Sequence, residues 1–92
     1  MGIFDKLKDV NEMRKQAKQI ELVLGQEEVT GKSSGSKIEI VIDGNQNVKS
    51  VKVDDSIVGD RGDIARNIRE ALEDLNKKHK KMLQSKFGSM MQ

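Results

Sequence analysis

The sequence predicts an α+β fold of order α-β-β-β-α in a single domain over residues 1–92, with a three-stranded antiparallel meander between two long charged helices. Three observations predict it. Apolar residues recur at intervals of three and four before Gly25 and again after Asp60. Apolar and polar residues alternate over residues 37–43, and a second run rich in β-branched residues follows over residues 48–54. Clusters of Gly, Ser, Asn and Asp separate the alternating segments, and such residues are the ones that tight reversals favour.

The first helix is expected over about residues 3–24, where Leu7, Val10, Met13, Ala17, Ile20 and Leu24 keep helical spacing without an interrupting Gly or Pro. Gly25 then ends it. The stripe is narrow, closer to a helix–helix seam than to the broad face of a core helix. Lys8, Asn11, Lys15 and Lys18 run along one flank. Residues 27–32 form an edge strand followed by a flexible polar turn, Ser33 to Ser36. A half-buried strand over residues 37–43 places Ile38, Ile40 and Ile42 on one face and Lys37, Glu39 and Asp43 on the other. The reversal Asp43 to Asn47 is read as a hairpin whose positive φ falls on Gly or Asn, with Gly31, Gly35 and Gly44 all assigned to turns. A strand over residues 48–54 brings Val51 and Val53 together.

In the connector, Ile57 and Val58 are expected to tuck under the sheet. Asp60 is the N-cap of the second helix, supported by Asp63 three residues on. That helix is expected over about residues 61–84, buried along Ile64, Ile68, Ala71, Leu72, Leu75 and Met82, with a frayed tail from Phe87. Glu73 with Lys77 and Asp74 with Lys78 make the favourable acid-before-base pairs.

A helix of about 22 residues is roughly 33 Å long, against about 23 Å for a seven-residue strand, so each helix must overhang the sheet. Apolar residues make up 35% of the chain and the aromatic content is confined to Phe4 and Phe87, so one copy has a thin core. The overhanging seams therefore predict a homodimer. The residues expected to build the core and the dimer contact are Leu7, Val10, Ala17, Ile20, Ile38, Ile40, Ile42, Val51, Val53, Ile68, Leu72 and Leu75.

The absence of Cys rules out disulfides and thiolate zinc sites, and one His, His79, leaves no imidazole cluster and no acid–base machinery. His79 lies four residues after Leu75 and three before Met82 and reads as a packing residue of the helix seam. No catalytic residue, cofactor, metal or small-molecule substrate is predicted, and the sequence is not expected to be an enzyme. No segment has the length of a membrane span and the N-terminus lacks the layout of a secretory signal, so a cytoplasmic protein is expected.

The formal net charge is only +2, but its distribution is uneven: residues 77–92 carry five basic groups and no acidic one. Lys77, Lys78, Lys80, Lys81 and Lys86 suit a solvated helix end favoured by the dipole, and equally suit a phosphate-binding surface that dimerisation would duplicate. The shortage of aromatics disfavours base stacking and hence single-strand binding.

The order of parts resembles the bacterial YbaB/EbfC family of nucleoid-associated proteins over nearly the whole length. The matching pieces are Glu12-Met13-Arg14-Lys15-Gln16-Ala17, then Val29-Thr30-Gly31, the strand ending Ile42-Asp43-Gly44, Val48 with Val51-Lys52-Val53-Asp54 leading into Ser56-Ile57, and a final Lys-rich helix. Asp55 stands where the family commonly has Pro. The resemblance implies a homodimer with a continuous sheet and projecting helices, binding of double-stranded DNA without enzymatic activity, and a place in nucleoid organisation and gene regulation. By position it implies DNA contact through Lys8, Arg14, Lys15 and Lys18 on the first helix and Lys77, Lys78, Lys80 and Lys81 on the last. The alternative is a protein-interaction module whose projecting helices clasp another protein, the charges serving solubility.

Overall fold

The computed structural model describes residues 3–88, with side chains from Val10 onward. Along the chain come α1 (Ile3–Gly25), β1 (Glu28–Lys32), β2 (Ile38–Asp43), β3 (Val48–Val53) and α2 (Arg61–Phe87), with single 3₁₀ turns at Ser34–Ser36 and Asp55–Ile57. This is the α-β-β-β-α order that the sequence predicts. The sheet is antiparallel in the order β1-β2-β3. α2 continues to Phe87, three residues past the expected end, so Phe87 is helical and not part of a frayed tail.

Residues directly opposite in a ladder share a face of the sheet. Val29 lies opposite Ile42 and Gly31 opposite Ile40, while Ile38 lies opposite Val53 and Ile40 opposite Val51. A register shift between Val41 and Ile42 brings Val48 opposite Ile42. One face of the sheet is therefore apolar across all three strands, and α2 packs over only part of it, along β1 and β2. Val29, Ile38, Ile40, Ile42, Ile57, Ala71 and Leu75 are buried there, with Ile64 and Met82 packed at the margins. Val51 and Val53 share that face but remain exposed, because among the described residues β3 packs chiefly against β2.

Gly31 is what brings α2 this close. It sits within β1, not in a turn, and a Cβ there would lie 2.3 Å from the carbonyl oxygen of Ala71. The buried row of α2 is Asn67, Ala71, Leu75 and His79, each four residues from the next and so on one face. Ile68 and Leu72, expected in that row, are one residue further round the helix and stay 40% and 45% exposed. Asn67 can replace an apolar residue because its Nδ2 donates to the carbonyl of Asp63 at 2.7 Å. The Asp60 cap is present, its Oδ1 accepting from the Asp63 N–H at 3.0 Å.

The connectors depart from expectation in three places. Ile57 enters the core, but Val58 follows it out of the 3₁₀ turn and is 66% exposed. Ser33 to Ser36 is a defined 3₁₀ turn, with Gly35 and Ser36 at positive φ and the buried Ser33 Oγ accepting from the Ile38 N–H. In the β2–β3 hairpin the positive φ falls on Gln46, at 69°. Asp43 makes this affordable by accepting from the N–H groups of Asn45 and Asn47 at 2.8 and 2.9 Å and from Asn47 Nδ2 at 3.0 Å.

α1 stands apart from this core. Val10, Met13 and Ile20 are exposed, as is Ala17, and the hydrogen bonds that tie α1 to the sheet are at its C-terminal end. The chain is accordingly elongated, 64 × 23 × 20 Å.

Candidate nucleic-acid interface

The C-terminal half of α2 carries a dense run of lysines, Lys77, Lys78, Lys80, Lys81 and Lys86, and helix geometry decides how it is presented. Asn67, Ala71, Leu75 and His79 face the sheet, so the parallel row two residues on, Arg69, Glu73, Lys77 and Lys81, faces directly outward. From Arg69 to Lys81 this row is about 18 Å long, a length over which a duplex carries roughly ten phosphate charges. Lys78 and Lys80 lie on opposite flanks of α2, each about 100° from the buried row. All four lysines are exposed, but they wrap round the helix and do not form one patch. Arg69 escaped the sequence reading because it lies outside the C-terminal lysine run, although its four-residue spacing from Glu73 and Lys77 was open to inspection.

These cations are not equally free. Lys78 Nζ lies 2.9 Å from Asp74 Oδ2, an oxygen that also accepts from the Lys32 N–H at 2.9 Å. The backbone N–H of Lys32, then the Lys78 side chain, hold the Asp74 carboxyl below its ordinary pKa. Lys77 borders a shallow polar groove with Glu70, Glu73 and Asp74, which lowers the net positive field on that side. Lys86 pairs with Glu27 at 2.6 Å and so ties the end of α2 to the segment after α1. Among the described residues Lys80 and Lys81 make no ion pair.

On α1, Arg14, Lys15 and Lys18 are exposed. The side chains of Leu7 and Lys8 lie outside the described residues. α1 meets the hairpin through Gly44, whose N–H donates to the Leu24 carbonyl at 2.8 Å, and through Asn45, whose Nδ2 donates to the Glu21 carbonyl at 2.9 Å. His79 is buried in α2 with Nε2 2.9 Å from the Gly44 carbonyl oxygen. A carbonyl only accepts, so Nε2 carries a proton, which fits the packing role read from its spacing.

What this surface offers is an extended helix bearing outward cations, joined through the Gly44 hairpin to a second helix bearing its own. The sequence matches the profile of the YbaB/EbfC DNA-binding family over residues 1–92. The chain belongs to that family. Its fold is similar to the crystal structure of the uncharacterized protein HP0035 from Helicobacter pylori, with a TM-score of 0.79 and 21% identity over 100% of this chain and 99% of that one. At that identity the likeness speaks for the shared fold. The family is a DNA-binding one. Among the described residues, no helix is long and apolar enough to cross a membrane.

Proposed function

We propose that this YbaB/EbfC member is a homodimer that binds double-stranded DNA through backbone phosphates, in the cytoplasm and on the nucleoid, where it contributes to nucleoid organisation and gene regulation without catalysing a reaction. The observation that carries the dimer is the uncovered side of the sheet. Val48, Val51 and Val53 on β3 and Ile68 and Leu72 on α2 are exposed together, and a groove lined by Ile40, Ile42, Val48, Leu72 and Leu75 runs between them. β3 is also a free edge of the sheet. An unpaired edge beside an apolar face is an aggregation hazard that chains normally cover. A second copy pairing β3 with β3 supports both needs, since it continues the sheet and removes these side chains from water.

The two-fold relation would set two pairs of basic helices at a fixed separation, and the cations proposed to touch phosphate are Lys8, Arg14, Lys15, Lys18, Lys77, Lys78, Lys80 and Lys81, to which the outward row adds Arg69. Phosphate contact predicts affinity that falls steeply with salt, log K declining against log salt with slope about −0.9 for each phosphate neutralised. A gel-shift titration at two salt concentrations tests this, and affinity that stays flat would refute the phosphate mode. Changing Lys77, Lys78, Lys80 and Lys81 together to Glu is expected to abolish binding and leave the dimer intact in sedimentation. Survival of binding would assign the contact elsewhere.

A further inference from the structure

Gly44 occupies a position that neither the core nor the basic surface accounts for. Its peptide groups reach both helices: the N–H donates to the Leu24 carbonyl at the end of α1, and the carbonyl accepts from His79 Nε2 in the C-terminal half of α2. No side chain fits there, since a Cβ would lie 2.5 Å from the Leu24 oxygen, so the close approach of α1 depends on glycine. Asn45 adds a second link to α1 at Glu21. The hairpin that holds both residues is itself stiffened by Asp43, which is buried and accepts three hydrogen bonds. Beyond this end, the described side chains of α1 from Val10 to Val23 are exposed. A helix tied at its C-terminal end takes its direction from the geometry of that tie.

We infer that Gly44, Asn45 and His79 form a joint that sets the angle between the two basic helices, and that His79 and Asn45 are therefore positioning residues for DNA binding. The inference rests on the reading that cations on both helices contact one duplex. His79 fixes the hairpin to α2, Gly44 and Asn45 fix α1 to the hairpin, and the Glu27–Lys86 pair braces the same corner. Phosphate contacts at fixed sites reward a preset angle, because an unset arm must be ordered on binding.

The sequence contains no Cys, so a nitroxide pair on Gln16→Cys and Gln84→Cys labels one exposed site on each helix. Diluting the labelled protein with excess unlabelled protein isolates distances within one chain. In the Asn45→Ala, His79→Leu double variant the distance distribution is expected to broaden or shift, and duplex affinity to fall several-fold with every Lys and Arg of both helices intact. His79→Gln, which keeps an N–H donor, is expected to restore most of both. Asn45→Ala alone, which leaves the core untouched, is expected to broaden the distribution even if the double variant folds poorly. A purely structural role for His79 would lower the melting temperature and leave the distances of folded protein as they were, and that result overturns the joint. Shifted distances with undiminished duplex affinity would uphold the joint and refute the two-armed grip.

Discussion

α1 and α2 are helices of similar length, and both carry apolar residues at intervals of three and four, yet among the described residues only α2 packs into the core. On α2, Ala71 is fully buried and Leu75 is 6% exposed. On α1, every side chain from Val10 to Leu22 that the structure describes is exposed. The difference lies in the partner, not in the pattern. β1 presents Gly31 to α2 and lets the helix axis approach, whereas the described contact of the sheet with α1 is at the hairpin end, at Gly44 and Asn45. Periodicity shows that a helix has an apolar face and leaves open which surface will cover it.

The sharpest way to break this comparison is to truncate one apolar side chain on each helix. Leu75→Ala is expected to cost about 2–5 kcal/mol of stability at any protein concentration, since it opens a cavity under the sheet. Ile20 is exposed in the single chain and lies outside the core cluster, so the main loss from Ile20→Ala should appear as dimerisation becomes limiting. Chemical denaturation at two protein concentrations measures both. A large, concentration-independent loss for Ile20→Ala would mean that α1 is covered within its own chain. Next in size is Val51→Glu, which places a charge in the middle of the uncovered face of β3, where Val51 is 57% exposed in the single chain. It is expected to shift sedimentation toward monomer with little change in helix content, and a dimer that tolerates the charge would place the contact elsewhere.

The same contrast explains how far the sequence could be read. The order of helices and strands was legible because the periods of 3.6 and 2 are local properties of the chain. What covers each face is a long-range property, and there the reading weakened. Ile68 and Leu72 have the right residue type for a core position, but the buried row runs through Asn67 and His79, polar residues made tolerable by the Asp63 and Gly44 carbonyls. Gly31 looked like a turn residue because its reason for being glycine is the backbone of Ala71, forty residues away and invisible to any local pattern. The lysines of the last helix were plain as a run, whereas their division between opposite flanks follows only once the buried row is known.

Acid should separate the two regions in a different way. Hydrogen bonds from the Asn47 side chain, then its backbone N–H, hold Asp43 below the ordinary carboxylate pKa, and the Lys32 N–H, then the Lys78 side chain, do the same for Asp74. A carboxyl whose folded pKa is depressed contributes stability that is present above its unfolded value of about 3.9 and is lost as pH falls through the lower folded value. Stability is thus expected to be flat with respect to these groups near neutrality and to decline below about pH 4. Asp43→Asn should remove part of that decline while leaving the packing of α2 on β1 in place. Thermal melts across the acid range check the slope, and an unchanged slope in the variant would mean that the hairpin network contributes nothing to it.

The smallest expected effect compares two lysines one turn apart on α2. Lys78 is held by Asp74, whose other bond to the Lys32 N–H keeps the carboxylate in place, while Lys81 points outward with no ion pair among the described residues. A cation that must leave a carboxylate to reach a phosphate gains less than one that is already free, because an exposed helical pair is itself worth about 0.3–0.5 kcal/mol. Lys81→Ala is therefore expected to flatten the salt dependence of duplex binding by about one unit of slope, the value for one lost phosphate contact. Lys78→Ala is expected to change it less and to cost a few tenths of a kcal/mol in stability instead. Equal changes in slope for the two would mean that DNA breaks the Asp74 pair on binding, and would shift the phosphate-contacting surface from the outward row of α2 toward the flank that faces β1.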